Sequence, residues 1–553
     1  MSRFFAYPWF KLDALNGFVA LSIGLFTVLT LIYSSRYIRA MRVQYYGCVI
    51  LTAAASFGVV LANNLALLLL CWGFLSLTLY LLINMGDDAA ASASAAKKAL
   101  IMVGGTDALM LLGIGIVYCF SYTLQMDFIR LGLDNPWLVL AYLCIAAAAF
   151  AKAGSMPFHS WIPDCSEAAP LPVVAFLPAS LDKLLGIYLL ARISLDLFSI
   201  NQPMNIFLML VGAFTILAGV MMALVQHNLK RLLGYHAVSQ VGYMVLGIGT
   251  GNPVGIAGGL FHMLNNALYK SCLFFGAGNV EYRAKTSDLD KLGGLSKFMP
   301  LTYISCLVAS LAISGVPPLN GFVSKWMIYQ GLISGWQMAN GKWQMAVSVF
   351  CLAAAMFGSG LTLASFIKLL HAVFFSRPQG AGRVAQQEVP WQMWLPGIIL
   401  AGICLISGVF AYQLPLKHLI FPVTGSVDFP GSWHAIASSL LIFLGLALGL
   451  WFSRLKGIRP VARQDTSFTG GEAPAAEENR VTGTDFYNTV REFAPLKAVY
   501  RQAEAGRFDL YEQGKAAVFA AGRFFQYLHN GILPTYLVWM LLGMIGLFLA
   551  LLK

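Results

Sequence analysis

Hydrophobic residues in this sequence come in long runs rather than in alternation. Stretches of about 20 apolar residues, the length that carries a helix across a bilayer, recur along almost the whole chain. Short turns rich in Gly, Pro, Asn and charged residues separate them. Runs and punctuators together predict fourteen crossings, near 14–34, 44–61, 64–84, 99–121, 136–167, 172–193, 205–226, 232–249, 255–279, 300–330, 344–375, 392–412, 433–452 and 533–552. The fold class expected is an all-α polytopic membrane protein. It divides into a transmembrane core over 1–452, a segment over 453–532, and a last crossing within 533–553. In the middle segment, Ser467 to Gly483 reads as a loop, and about 485–529, with Phe and Tyr spaced among charges, reads as amphipathic helix. Such a helix either lies on the membrane surface or packs as a strut on a partner subunit.

The fifth and tenth crossings are too long and carry proline in mid-span, at Pro157 and Pro163 in AKAGSMPFHSWIPD and at Pro317 and Pro318 in ISGVPPLNGFVSKW. A break frees backbone groups that hydrocarbon cannot satisfy, so broken helices at membrane depth must face protein or water. Five crossings apart, the two run in opposite directions. Opposed discontinuous helices are how inverted-repeat transporters build a site near the midplane, so an inverted repeat is expected.

Composition agrees with a membrane protein: 11% of residues are charged, against about 25% in a soluble protein. The net charge of +12 does not form an aromatic-interleaved basic patch, so no nucleic acid is expected. Thirteen Lys and Arg fall in short loops after odd-numbered crossings and five on the opposite side. The first side is then cytoplasmic, which puts both termini outside and 453–532 on the cytoplasmic side of a bacterial or archaeal cell (inner) membrane. The N-terminus lacks the layout of a cleaved signal peptide. The nine cysteines are scattered without a CxxC pair, and no metal, iron–sulfur, haem or other cofactor spacing is seen. Nor is there a P-loop, a dinucleotide fingerprint or a Ser-His-Asp set, so no catalytic residue is assigned.

The chemistry lies in charges inside the crossings, which cost about 2.5–3.5 kcal/mol each even on insertion scales. Of 36 Lys and Arg, six remain within spans: Lys152, Lys183, Arg192, Lys270, Lys325 and Lys368. Arg192 sits at a helix end and can snorkel. Lys152 precedes the first break and Lys325 follows the second, as an inverted relation would have it. His262, Asn266 and Lys270 stand at i, i+4 and i+8, one polar stripe on an apolar helix. Lys368 and His371 stand at i and i+3, where His371 can also snorkel to the cytoplasmic face. Asp107 and the adjacent Asp182–Lys183 supply acidic members. Burial favours the neutral form of an amine, which lets such lysines exchange protons. The pattern points to an ion path; the plainer readings are a structural ion pair across helices for Lys152 and a satisfied core histidine for His262.

The stretches KLDALNGF…YSSRYIRAM, AKAGSMPFHSWIPDCSEAAPLPV, LDKLLGIYLLAR, QHNLKRLLGYHAVSQVGYM, LFHMLNNALYKSCLFFGAGNV, GGLSKFMP and GVPPLNGFVSKW, in order over 11–375, resemble the antiporter-like subunits shared by respiratory complex I, Mrp-type sodium/proton antiporters and energy-converting hydrogenases. The resemblance implies an inverted repeat of five-helix units with two discontinuous helices. It implies proton passage along Lys152, His262, Lys270 and Lys325, without a cofactor of the chain's own. The expected partners are other membrane and peripheral subunits of a redox-driven complex, with protons, or alternatively sodium, as the ion.

Two departures stand out. The family's Trp-Glu reads Trp72–Gly73 here, so the carboxylate that normally pairs with the first lysine is missing, and Asp182 is the expected replacement. The family's second histidine of the central stripe is Asn266, which cannot titrate. Competing readings are a secondary transporter, Mrp-like or serving inorganic-carbon uptake, and a membrane scaffold with a decayed channel.

Overall fold

The computed structural model describes residues 8–337, 341–376, 387–425, 427, 434–454 and 484–552. The expected loop Ser467 to Gly483 lies outside them. The described chain is almost wholly helical, with one two-residue parallel ribbon, Leu131–Gly132 beside Phe198–Ser199.

The first helices are α1 (Ala14–Tyr37), α2 (Arg42–Leu61) and α3 (Leu65–Ile83). Next, α4 (Ala89–Ala99) passes through a π-helical turn into α5 (Gly105–Ser121). Asx residues start many of these elements: Asp13, Asn64 and Asp88 each accept from backbone N–H groups of the first turn, which satisfies donors that hydrocarbon would leave bare.

The long fifth crossing resolves into α6 (Pro136–Ala153), a turn, and the short α7 (Trp161–Ala168). After Pro170, α8 (Leu171–Phe176) continues through a π-turn into α9 (Asp182–Arg192). Pro157 lies in the break, but Pro163 does not. It sits in the first turn of α7, where proline's missing N–H would have no intrahelical acceptor.

Then come α10 (Gln202–Leu224), α11 (Leu229–Gly249) and α12 (Pro253–Ala284). Asn201, Asn228 and Asn252 cap them, with proline in the first turn of α10 and α12. The second break separates α13 (Pro300–Ser314) from α14 (Asn320–Gln337), with Pro317 and Pro318 inside it. The unit is completed by α15 (Lys342–Leu370), α16 (Trp391–Val409), α17 (Phe421–Thr424), α18 (Ala435–Arg454) and α19 (Asp485–Glu492).

A second compact unit, Phe493–Lys553, holds α20 (Ala494–Glu504), the amphipathic α21 (Leu510–Leu528) and the apolar α22 (Leu533–Leu551). The expected amphipathic segment is therefore three separate helices.

Among the described residues, ten helices are long and apolar enough to cross a membrane. Two long helices, α11 and α12, are not among these ten and are buried nearly all round. A helix that touches protein on every face needs no lipid-facing stripe, and it can carry polar side chains toward polar partners. Glycines let the neighbours close in: a Cβ at Gly212 or Gly242 would lie 2.5–2.7 Å from backbone of the facing helix, the small-residue packing of membrane bundles.

Candidate functional site: a row of buried lysines

The two breaks share one local geometry. Helix α6 ends at Gly154 (φ +82°, ψ +38°) and α13 at Gly315 (φ +81°, ψ +39°). These left-handed positions suit only glycine without strain. In both, the N–H after the glycine reaches back to the carbonyl four residues before it: Ser155 to Phe150 at 2.9 Å and Val316 to Leu311 at 3.0 Å. Each helix thus ends with carbonyls that its own backbone cannot all satisfy.

A lysine finds one of them in each case. Lys183 Nζ donates to the Ala153 carbonyl at 3.1 Å, and Lys325 Nζ to that of Ile313 at 2.8 Å. An ammonium there also meets the negative end of the helix dipole. The lysine on the helix end at the first break is therefore Lys183, from α9, as Lys325 is at the second. Lys152 lies two residues before Gly154, on the helix that ends there.

Lys152 is fully buried. Its Nζ lies 3.5 Å from Ser76 Oγ, which donates to Asp107 Oδ2 at 2.6 Å. The Trp72 ring centroid is 5.1 Å away. Asp182 lies within electrostatic reach of both Lys152 and Lys183 but forms an ion pair with neither among the described residues. Its Oδ2 has no hydrogen-bond partner. Asp182 is thus shared between two lysines.

Lys270, within reach of Lys183, donates to the Leu233 carbonyl at 2.7 Å and lies 5.8 Å from the rings of Phe274 and Phe366. Beside it, His236 Nε2 bonds Ser365 Oγ at 2.7 Å, and its ring packs 4.7 Å from Phe366. His236 feels Lys270, Lys325 and Lys368 at once.

His262 sits at the crossing of α11, α12 and α14. Its Nε2 meets Gln240 Oε1 at 3.1 Å and Tyr269 Oη at 3.3 Å, and its Nδ1 meets Ser324 Oγ at 2.9 Å. Since Oε1 only accepts, the imidazole as oriented carries its proton on Nε2. Ser324 is the residue before Lys325, whose Nζ stands 4.7 Å over the Tyr243 ring. Asn266, on the same stripe, is fully buried with neither amide atom bonded.

At the far end, Lys368 donates to the Leu224 and Gln226 carbonyls, at 2.5 and 2.9 Å, at the end of α10. His371 does not join it: its side chain is exposed. Arg192 is held by Asp13 and Asp196 at 2.9 and 2.7 Å and stands apart from the row.

Ser76, His236, Gln240, Tyr243, Tyr269 and Ser324 line this row beyond the residues expected from sequence, Asp107 being one of those expected. For three of them a signal existed. His236, Gln240 and Tyr243 stand at i, i+4 and i+7 on α11, the spacing of one helix face. Among the described residues, no group of three or more His, Cys, Asp or Glu could hold a metal ion.

With the geometry described, the comparisons can be read. The transmembrane family model of NADH:quinone oxidoreductase and Mrp antiporter subunits matches residues 62–366. The chain belongs to that family. The matched stretch holds Lys152, Lys183, His236, His262, Lys270 and Lys325, and stops two residues before Lys368.

Relatives of this antiporter-like subunit include hydrogenase-4 component B of Escherichia coli K12, 32% identical over 81% of this chain and 70% of that protein. NADH-quinone oxidoreductase subunit N of Desulforudis audaxviator is 31% identical over 74% of this chain and 86% of its own. In fold, the chain resembles one in an archaeal membrane-bound sulfane sulfur reductase (TM-score 0.78, 23% identity, 98% of this chain and 89% of that one). It also resembles one in respiratory complex I of Thermus thermophilus (TM-score 0.63, 25% identity, 76% and 89%).

Proposed function

We propose that this antiporter-like subunit conducts protons along the row Lys152–Lys183–Lys270–Lys325, with Asp107, Asp182, His236 and His262 beside it. Lys368 forms its cytoplasmic end. The observation that carries the reading is the choice of acceptors. Among the described residues, none of the five lysines forms an ion pair with a carboxylate, and four of them donate to backbone carbonyls. A buried ion pair resists losing a proton because the counterion is left stranded. A lysine on a neutral carbonyl has no such tie.

The unbonded polar atoms support the same reading. Asp107 Oδ1, Asp182 Oδ2, His236 Nδ1, Gln240 Nε2 and both amide atoms of Asn266 are buried without partners along this row. Each such group costs about 1–3 kcal/mol if left dry, and internal water is what ordinarily satisfies it. Protons suit this lining better than sodium, which needs a cage of oxygens, whereas ammonium and amide donors predominate here.

The matching turns at Gly154 and Gly315 support an inverted repeat. Fourteen crossings with both termini outside fit the helices together with the loop charges. Relatives named for a hydrogenase component and a quinone oxidoreductase subunit support a place among the membrane and peripheral subunits of a redox-driven complex.

Two experiments test this. The subunits that co-purify with the chain should include redox proteins. In vesicles containing that complex, Lys270→Ala should abolish proton translocation with subunit content intact. Unchanged translocation would refute the path.

A further inference from the structure

The family match stops two residues before Lys368, which with His371 is the last of the path residues that the sequence suggests. Lys368 is 3% exposed although it stands near the end of its helix. On one side it is satisfied by the Leu224 and Gln226 carbonyls. On the other side it meets α19, more than a hundred residues further along the chain. The Tyr487 ring lies with its centroid 4.9 Å from Lys368 Nζ, within the range of a cation–π contact.

Two anchors hold that ring in place. Tyr487 Oη donates to the Ala364 carbonyl at 2.6 Å, one turn before Lys368 on α15. Three residues earlier in the chain, Thr484 Oγ1 donates to the carboxylate of Asp290. The same carboxylate meets His227 Nδ1 at 2.8 Å, in the loop that follows the carbonyls on which Lys368 rests. The anchors therefore grip both sides of the lysine's seat.

We propose that Tyr487 is a further residue of the path and the cover of its last lysine. Its ring closes Lys368 off from the aqueous phase, and the Thr484–Asp290–His227 contacts pin the cover down. An aromatic face suits this place: it steadies an ammonium, accepts no proton from it, and excludes water. Proton exchange between the row and the aqueous phase at this end then requires α19 to lift.

The inference rests on the row being a proton path, and the test separates the two claims. The assembled complex in vesicles is given a pH gradient, and passive proton flux is followed with an internal pH dye. Tyr487→Ala should raise the flux several-fold, Tyr487→Phe should leave it near the parent, and adding Lys368→Met to Tyr487→Ala should remove the gain. Parent-level leak in Tyr487→Ala, with translocation still lost in Lys270→Ala, would overturn the cover and leave the path standing. Translocation unchanged in Lys270→Ala would overturn the path itself.

A second readout does not depend on transport. In Lys368→Cys, a membrane-impermeant maleimide should label residue 368 several-fold faster, by mass spectrometry, when Tyr487→Ala is added. Equal rates would contradict the cover.

Discussion

Lys152 reaches Asp107 through the hydroxyl of Ser76: 3.5 Å from ammonium to hydroxyl, then 2.6 Å from hydroxyl to carboxylate. Two carboxylates lie within electrostatic reach of this lysine, Asp182 and Asp107, and the one joined to it through a side-chain bridge comes from α5. Asp107→Asn should slow proton translocation by roughly ten- to a hundredfold, the equivalent of the ~1.5–3 kcal/mol of a hydrogen bond to a charged group. If the hydroxyl is the link, Ser76→Ala should do the same and the double variant no worse. A silent Ser76→Ala, measured in vesicles, would break the link.

Gly186 sets how closely α9 approaches α6. A Cβ there would lie 2.6 Å from the Ala153 nitrogen and 2.7 Å from the Ala149 carbonyl, and both are backbone atoms with nowhere to go. Gly186→Ala should therefore push the helices apart and draw Lys183 off the Ala153 carbonyl. Overpacking of this kind costs about 1–3 kcal/mol. A lower Tm and reduced translocation are expected together, and parent values for both would show that the Lys183 seat does not depend on this contact.

Asn266 separates a hydrated path from a structural stripe. Replacing a buried amide that has no partner with leucine removes about 1–3 kcal/mol of unsatisfied polarity, so Asn266→Leu should keep or raise Tm. If water threads the row here, translocation should still fall by roughly tenfold, since each 1.4 kcal/mol on a barrier is a factor of ten. Full translocation in this variant would move the path away from the stripe.

Outside the spans, Asp127 accepts from Lys11 Nζ at 2.5 Å and from Asn63 Nδ2 at 2.8 Å. The Lys11 hydrogen bond, its largest influence, holds this carboxyl below its ordinary range. A depressed carboxyl contributes stability above its unfolded value of about 3.9, and loses it as pH falls through the folded one. Asp127→Asn should lower Tm at pH 7, with the gap to the parent closing as pH drops below about 4. A gap that persists in acid would mean that something other than the carboxylate charge is at work.

The lysines were legible because a charge inside an apolar run is costly and therefore conspicuous. Their acceptors were not, because Ala153, Ile313, Leu233 and Leu224 act through carbonyls that every residue carries. Which helix end faces which lysine is decided by packing. That is why order along the chain places Lys152 at the first break, while the lysine on the helix-end carbonyl there is Lys183. Both long crossings were legible as broken, yet proline alone overstated the first break, since Pro163 lies in the first turn of α7. His371 looked equal to Lys368 by spacing, but an i, i+3 step need not bury both partners, and only Lys368 turns inward. The Tyr487 contact had no local signal at all.

The central claim is that protons pass through lysines seated on backbone carbonyls, and Lys325 tests it most directly. Proton translocation is measured in vesicles carrying the assembled complex, comparing the parent with Lys325→Ala and Lys325→Arg at equal subunit content. The account predicts that both variants lose translocation, because alanine removes the carrier and arginine holds its proton too tightly to pass it on. Translocation at the parent rate in Lys325→Arg would contradict it, since a fixed charge would then serve as well as an exchangeable one.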